Sequence, residues 1–207
     1  MMKENFLTIF LITVAIITVI VAVRKTNQGE KNALKPVKTI ENWESIFNKN
    51  PEHQNSENYI IIFFDYECPY CATLEVEINE LINSSSSKLN VSYFHRPLKG
   101  AKNSFMASLA AECARDQGRF LEYHSLLYKH SFELGKIQYS DLAKKIEIND
   151  LSKFNNCVEG QKKSDIVKKQ MRIADSLGIN AVPTIIIDGQ LFEGLVSSDF
   201  ILNQITD

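Results

Sequence analysis

The sequence lacks an excess of either charge. Lys and Arg number 23 against 25 Asp and Glu, a net of −2 over 207 residues. No basic patch or arm stands out, which sets nucleic acid aside as a partner. The chain also lacks an internal repeat, and its 44% apolar residues suffice for one well-buried domain rather than two. A second pair of closely spaced cysteines is missing too. Of the four cysteines present, Cys68 and Cys71 form a C-x-x-C, whereas Cys113 and Cys157 stand alone and His95 is single. A structural zinc needs four ligands, usually from two such pairs, so a metal centre is disfavoured. His53, His124 and His130 belong to no motif and read as surface or core-edge residues, and His95 as structural.

Phe6 to Val23 (FLTIFLITVAIITVIVAV) lacks any charge, glycine or proline over 18 residues and is closed by Arg24-Lys25. As a helix it spans roughly 27 Å, close to the ~30 Å of a bilayer's hydrocarbon core, and it has no polar stripe. Residues 1–25 are therefore expected to be a single-pass membrane anchor or uncleaved signal-anchor. A cleavable signal peptide is the rival reading, but its apolar region is usually about 7–15 residues and ends in small residues; Val21-Ala22-Val23 is a poor match. Arg24 and Lys25 on one flank, with Lys3 offset by Glu4 on the other, would alone favour a cytoplasmic C-terminal part.

Residues 26–35 read as a polar linker, and residues 36–207 as the domain. A short helix is expected near Glu41–Asn48. Tyr59 to Asp65 (YIIIFFD) is a continuous apolar run of strand length, as in a sheet covered on both faces by helices. From Pro69, Leu74, Ile78, Leu81 and Ile82 fall at helical spacing as far as the polar stop Asn83-Ser84-Ser85-Ser86-Ser87, which marks a surface loop. Lys88 to His95 alternates as a second strand, completing a strand–helix–strand unit. A helical block follows, over Ala101–Arg115, Arg119–His130, Tyr139–Ile146, Asp150–Val158 and Lys163–Leu177, with Gly178 where a helix-terminating glycine belongs. Pro183 to Asp188 and Leu191 to Glu193 read as a hairpin, and Ser197 to Ile205 as a closing helix.

With a helix beginning at Pro69, a favoured first-turn position, Cys68 is the N-cap and Cys71 is N3. A Cys68 thiolate would accept from the N2 and N3 amides and face the positive end of the helix dipole, and both effects lower its pKa. The two Cβ atoms would lie ~5–6 Å apart, near the ~3.5–4.5 Å that a disulfide needs. One exposed thiolate beside one shielded thiol is the arrangement of a dithiol–disulfide exchanger, in which Cys68 reacts and Cys71 resolves. Half of a metal site, or a plain structural clip, is the alternative. Tyr66 and Tyr70 flank the pair, Tyr70 to line an apolar substrate groove and Tyr66 to do the same or to pack in the core. Cys113 and Cys157 lie on the apolar faces of two helices. They are either bonded across 44 positions, adding about 2–4 kcal/mol, or free and packed as small apolar residues.

Strand, C-P-Y-C, helix, helical block and then Val182-Pro183-Thr184 about 115 residues downstream resemble the thioredoxin superfamily, in its DsbA-like branch, from Tyr59 onward. Phe94-His95-Arg96-Pro97-Leu98, Ala110-Ala111-Glu112-Cys113-Ala114 and Gln117-Gly118-Arg119-Phe120 resemble the entry to that branch's helical insertion. The resemblance implies an α/β thioredoxin-like fold with the insertion, about residues 99–178, between the second and third strands. It implies a cis Val182–Pro183 bond lying against Cys68, with the Val182 backbone pairing to an extended substrate. It favours the Cys113–Cys157 bond, because some relatives look to have a similar one. Two departures stand out. Ile62 occupies the place of a buried acid six residues before the first cysteine, leaving Asp65, Glu67 or water to accept the Cys71 proton. Tyr70 stands where strongly oxidising members have histidine.

A second disulfide and a thiol oxidase both need an oxidising compartment, which outweighs the flanking charges. The expected protein is anchored to the cytoplasmic membrane of a bacterial cell envelope with its domain on the outer side. There it would oxidise the cysteines of unfolded or reduced exported proteins and be reoxidised by a membrane redox partner. A reductase or isomerase using the same couple, and a copper- or zinc-delivery module, are the alternatives. No cofactor is expected.

Overall fold

The computed structural model describes residue 18 and residues 35–47, 58–84 and 89–205. The chain divides into two units, Met1–Pro36 and Val37–Asp207, and the fold that follows is that of the second. The anchor and linker expected over residues 1–35 lie outside the described residues, apart from a helical Thr18 and Lys35. Among the described residues, no helix is long and apolar enough to cross a membrane.

Strand β2 (Asn58–Phe64) organises the domain because it offers apolar side chains to both faces. Ile60, Ile62 and Phe64 enter one buried cluster, while Ile61 and Phe63 enter a second on the other face. Burying an Ile or Phe contributes about 1.5–3 kcal/mol relative to leaving it in water, so β2 is stable only inside a covered sheet. On the first face, helix α2 (Pro69–Ser84) supplies Leu74, Ile78 and Leu81 and helix α8 (Ser198–Ile205) supplies Ile201. On the second face lie the one-turn helix α1 (Trp43–Ile46) and Ala174 of helix α7 (Ser164–Ser176).

The sheet runs β1-β5-β4-β2-β3, with β1 at Lys38–Thr39, β3 at Leu89–His95, β4 at Thr184–Ile187 and β5 at Gln190–Glu193. Strands β2 and β3 are parallel, and β4 lies antiparallel to β2 with Phe63 opposite Thr184. That register brings the end of β2, which runs into the Cys68 turn, beside the start of β4, which follows Pro183. Strand β1 is only Lys38–Thr39, paired with β5. Both residues are exposed, so no burial pattern marks them in the sequence. Counting β1, the helical insertion follows the third strand rather than the second. The expected helix at Glu41–Asn48 shrinks to one turn.

The insertion consists of α3 (Ser104–Arg115), α4 (Phe120–Lys129), a 3-10 turn at Ser131–Glu133, α5 (Tyr139–Lys145), α6 (Leu151–Glu159) and α7. Gly178 has φ 65°. Its amide donates to Asp175 and that of Ile179 to Ala174, a Schellman stop that favours glycine at the first outside position. At the β4–β5 hairpin, Gly189 has φ 85°, and a Cβ there would meet the Trp43 ring at 2.5 Å.

Cys113 on α3 and Cys157 on α6 are joined by a disulfide, with Cα atoms 5.9 Å apart and 44 positions between them in sequence. Replacing both with alanine is expected to lower stability by about 2–4 kcal/mol, read as a lower urea midpoint at unchanged slope.

Candidate active site

The turn after β2 is closed by the Cys68 amide donating to Asp65 O at 3.2 Å. Helix α2 then begins, and Cys68 O accepts from the amides of Cys71 at 3.1 Å and Ala72 at 3.2 Å. Cys68 is therefore the N-cap, Pro69 N1, where its missing N–H costs nothing, Tyr70 N2 and Cys71 N3. Both thiols are free, Cys68 half-buried and Cys71 buried at 2% exposure. The hydrogen bond from the Cys71 side chain, opposed by partial desolvation and aided by the Cys71 and Tyr70 amides, lowers the Cys68 pKa from 9.0 to about 7. Burial pushes the Cys71 thiol far up, and its hydrogen bond to the Cys68 sulfur pushes it further. The pair is thus one reactive sulfur and one held as a thiol, differing only in position on a single helical turn.

The Val182–Pro183 bond is cis, and the Cys68 thiol donates to Val182 O at 3.5 Å. This segment is fixed from three sides. Thr184 Oγ1 donates to Ala181 O at 2.8 Å, the Gly194 amide to Pro183 O at 2.8 Å, and Arg96 Nε to Ile179 O at 3.1 Å while Arg96 also pairs with Asp175 at 2.8 Å. Tyr70 projects beside the cysteines at 65% exposure, whereas Tyr66 is fully buried and so packs in the core rather than lining a groove.

Asp65 and Glu67 hold the turn to the start of α3. Asp65 accepts from the amides of Glu67 at 2.6 Å and Leu98 at 2.8 Å, and from the Ser104 hydroxyl. Glu67 accepts from the Asn103 amide at 2.9 Å, the Asn103 side chain at 2.8 Å and the Ser104 amide at 3.2 Å. A carboxylate at a helix N-terminus meets unpaired amides and the dipole's positive end, so the two acids act as tethers here. The sequence proposed them as proton acceptors for Cys71, and the structure gives both carboxylates this other set of partners.

Sequence reasoning missed a buried polar chain behind the couple. The Tyr66 hydroxyl pairs with His124 Nδ1 at 2.8 Å, and His124 Nε2 with Glu75 at 3.0 Å. Glu75 also accepts from the Asn79 side chain at 3.0 Å and the Ser125 hydroxyl at 3.3 Å. His124 is 1% exposed, not at the surface or core edge, because its two ring nitrogens find partners inside. The signal was Glu75 itself, a charge beside Leu74 on the otherwise apolar face of α2. His95, also fully buried, pairs with Glu112 at 2.9 Å, and Arg115 joins them. His130 lies at the protein's edge beside Glu133, and His53 is outside the described residues. Among the described residues, no group of three or more His, Cys, Asp or Glu is placed to hold a metal.

Comparison with known proteins agrees with this geometry. A family model described as Thioredoxin matches residues 53–207. A thioredoxin-like oxidoreductase from Silicibacter pomeroyi DSS-3 superposes with a TM-score of 0.65 at 23% identity, over 80% of this chain and 96% of that one. The thiol-disulfide exchange protein alpha-DsbA2 from Wolbachia pipientis gives 0.64 at 23% identity, over 74% and 82%. Oxidised BdbD from Bacillus subtilis gives 0.65 at 20% identity, over 74% and 88%. In sequence, the Na(+)/H(+) antiporter NhaA 3 of Salinispora tropica is 29% identical over 65% of this chain, which spans only 21% of that protein's length. The chain belongs to the thioredoxin family. Its fold is the DsbA-like form, with Cys68 and Cys71 as a pair of free thiols at the start of α2.

In the reduced protein, alkylation of Cys68 should accelerate with pH about a midpoint near 7, and Cys71→Ala should move that midpoint up by removing its largest cause. The sign for stability follows from linkage. With the folded pKa near 7 and the reference at 9.0, the thiolate's contribution is complete above about 9 and is lost as pH falls through about 7. The oxidised protein should lack this dependence.

Proposed function

We propose that the protein oxidises cysteines of exported proteins outside the cytoplasmic membrane, through Cys68 and Cys71. The depressed pKa of Cys68 carries this reading. Interactions that hold the thiolate stabilise the reduced couple, and a couple whose reduced form is stabilised gives its disulfide away. In the oxidised protein a substrate thiolate attacks Cys68 Sγ, the Cys68–Cys71 bond breaks, and Cys71 leaves with the electron pair. A second substrate thiolate then attacks the substrate's own sulfur in the mixed disulfide. The substrate gains a disulfide, Cys68 departs as a thiolate, and two electrons remain on the enzyme. A membrane redox partner removes them.

The Val182 backbone, held against Cys68, aligns an extended substrate, and the exposed Tyr70 gives it an apolar contact. The oxidising compartment is supported by the Cys113–Cys157 disulfide, and anchoring by the apolar run from Phe6 to Val23. Ion antiport, the activity in the name of the sequence relatives, forms no part of this reading, since the match spans about a fifth of their length.

Expressed as the full chain in a bacterial envelope, Cys71→Ser should accumulate mixed disulfides between Cys68 and exported proteins, resolved by reducing electrophoresis and mass spectrometry, and Cys68→Ser should accumulate none. Adducts on Cys71 in the Cys68 variant would reverse the roles. One equivalent of copper or zinc protecting both reduced thiols from alkylation would favour metal delivery instead.

A further inference from the structure

We propose that the outer edge of β3 binds an extended polypeptide segment as an added strand, one with apolar side chains on both faces and a carboxylate toward the His95 end. The site is separate from the contact between Cys68 and Val182. Strand β3 ends the sheet, and among the described residues β2 is the strand it pairs with. The Arg96 amide donates inward to Phe64 O at 2.8 Å, whereas the His95 amide donates outward to Gln170 Oε1 at 2.8 Å. Backbone groups alternate sides along a strand, so the N–H and C=O of Val91 and Tyr93 also point outward. Gln170 closes the edge at His95, and short of it no strand of the described residues meets Val91 or Tyr93. An edge with such groups is a template for another chain.

The edge lies in a groove of about 670 Å³ that runs round it onto both faces of the sheet, within the ~300–1,000 Å³ of ligand sites. On the first face the groove is bordered by Ile82 of α2 and Leu121 of α4, and on the second by Phe47, which follows α1, and Ile166 of α7. Ile82, Leu121 and Ile166 are exposed. Successive side chains of an added strand project to opposite faces, so each of these apolar shelves would receive every second residue. Asn90 borders the same groove at 6% exposure, and its Nδ2 has no hydrogen-bond partner among the described residues. A buried donor without a partner is costly, and an oxygen of the added chain would satisfy it.

Charge gives the segment its direction. Of the described residues that border the groove, Glu112 and Arg115 are the charged ones. The Glu112 carboxylate is buried and shared between His95 at 2.9 Å and Arg115 at 3.0 Å. Arg115 is 44% exposed, held by that bond and by the Phe120 ring, whose centroid lies 3.5 Å from the guanidinium carbon. With Nε engaged, the Nη donors remain for an occupant, and a carboxylate fits them. A single segment suits the recess better than a second copy of the chain, which would set its own α2 and α4 against these helices before the two edges met. The occupant is a stretch of a reduced, unfolded exported protein, an assignment that rests on the exchange function proposed above. Because β2 and β3 are parallel, the His95 end of the groove and the Cys68 turn share one end of the sheet. A segment held there raises the local concentration of its own cysteines near Cys68.

The test is anisotropy of a capped, fluorescent, cysteine-free peptide of about nine residues, valine alternating with threonine and one aspartate near an end, titrated onto the full chain. Analogues carry one N-methyl group each. Methylation should weaken binding about 10-fold at every second position and about twofold or less in between, because alternate amides face the edge. Hydrogen exchange at Val91 and Tyr93 should slow on binding. Arg115→Gln should weaken the aspartate peptide about 5-fold and leave its asparagine analogue unchanged. No binding, sensitivity without a period of two, or unchanged exchange at Val91 and Tyr93 would overturn the inference. Slow exchange there in the peptide-free chain would also overturn it, since the edge would already be covered, by a second copy if the chain sediments as a dimer and by the chain itself if as a monomer. A reduced two-cysteine peptide joined to the probe by a glycine–serine linker should be oxidised with an about 10-fold lower KM than its counterpart on a methylated probe, at unchanged kcat. Equal KM values would overturn the assignment to substrate. Failure to oxidise either peptide would instead remove the proposed function, a result separate from the methylation pattern.

Discussion

The contact between the Cys71 thiol and the Cys68 sulfur, at the first turn of α2, is the interaction on which the site depends. It is the largest cause of the lowered Cys68 pKa and also raises that of Cys71. The contact exists because β2 ends in a turn that makes Cys68 the N-cap and Pro69 the first helical residue, which fixes Cys71 one turn further, under the capping sulfur. The turn holds its place because β2 is buried on both faces and paired on both edges. The antiparallel register of β2 with β4 then delivers Val182 O to within 3.5 Å of the same sulfur. A strand, a proline and a register together determine the chemistry of two identical side chains.

The helical insertion is tied to this site by polar contacts as well as by packing. Glu67 and Asp65 connect the turn to α3, and the chain Tyr66–His124–Glu75 connects the turn to α4 and back to α2. A buried carboxylate and imidazole are costly unless satisfied, so each link is a reason for the insertion to occupy one position over the couple. The Cys113–Cys157 bond joins α3 to α6 and extends that constraint through the insertion. Arg96 does the same work at the far edge, joining the end of β3 to the segment that precedes the cis-proline.

Much of this was legible in the residues. The YIIIFF run announced a strand covered on both faces, C-P-Y-C placed an N-cap and an N3 sulfur, and Gly178 marked a helix end. What escaped were features with no local signature. Strand β1 is two exposed residues that exist because β5 offers an edge. The buried partners of His124 come from α2 and from the turn, 49 and 58 positions away, and no sequence period connects them. Asp65 and Glu67 stood out because they neighbour the cysteines along the chain, whereas their bonds to Leu98, Asn103 and Ser104 come from residues 33 to 39 positions on, which no local pattern announces. Glu75 went unremarked because a helix-favouring acid on a helix is ordinary, and only its burial makes it unusual.

The most direct measurement of the central claim is the reduction potential of the Cys68–Cys71 couple, with the full chain equilibrated against glutathione buffers of known poise. A stabilised Cys68 thiolate predicts a value above about −200 mV, where the protein donates disulfides. A value near or below about −270 mV would mean that the disulfide is the stable form, and would contradict an oxidase built on that thiolate.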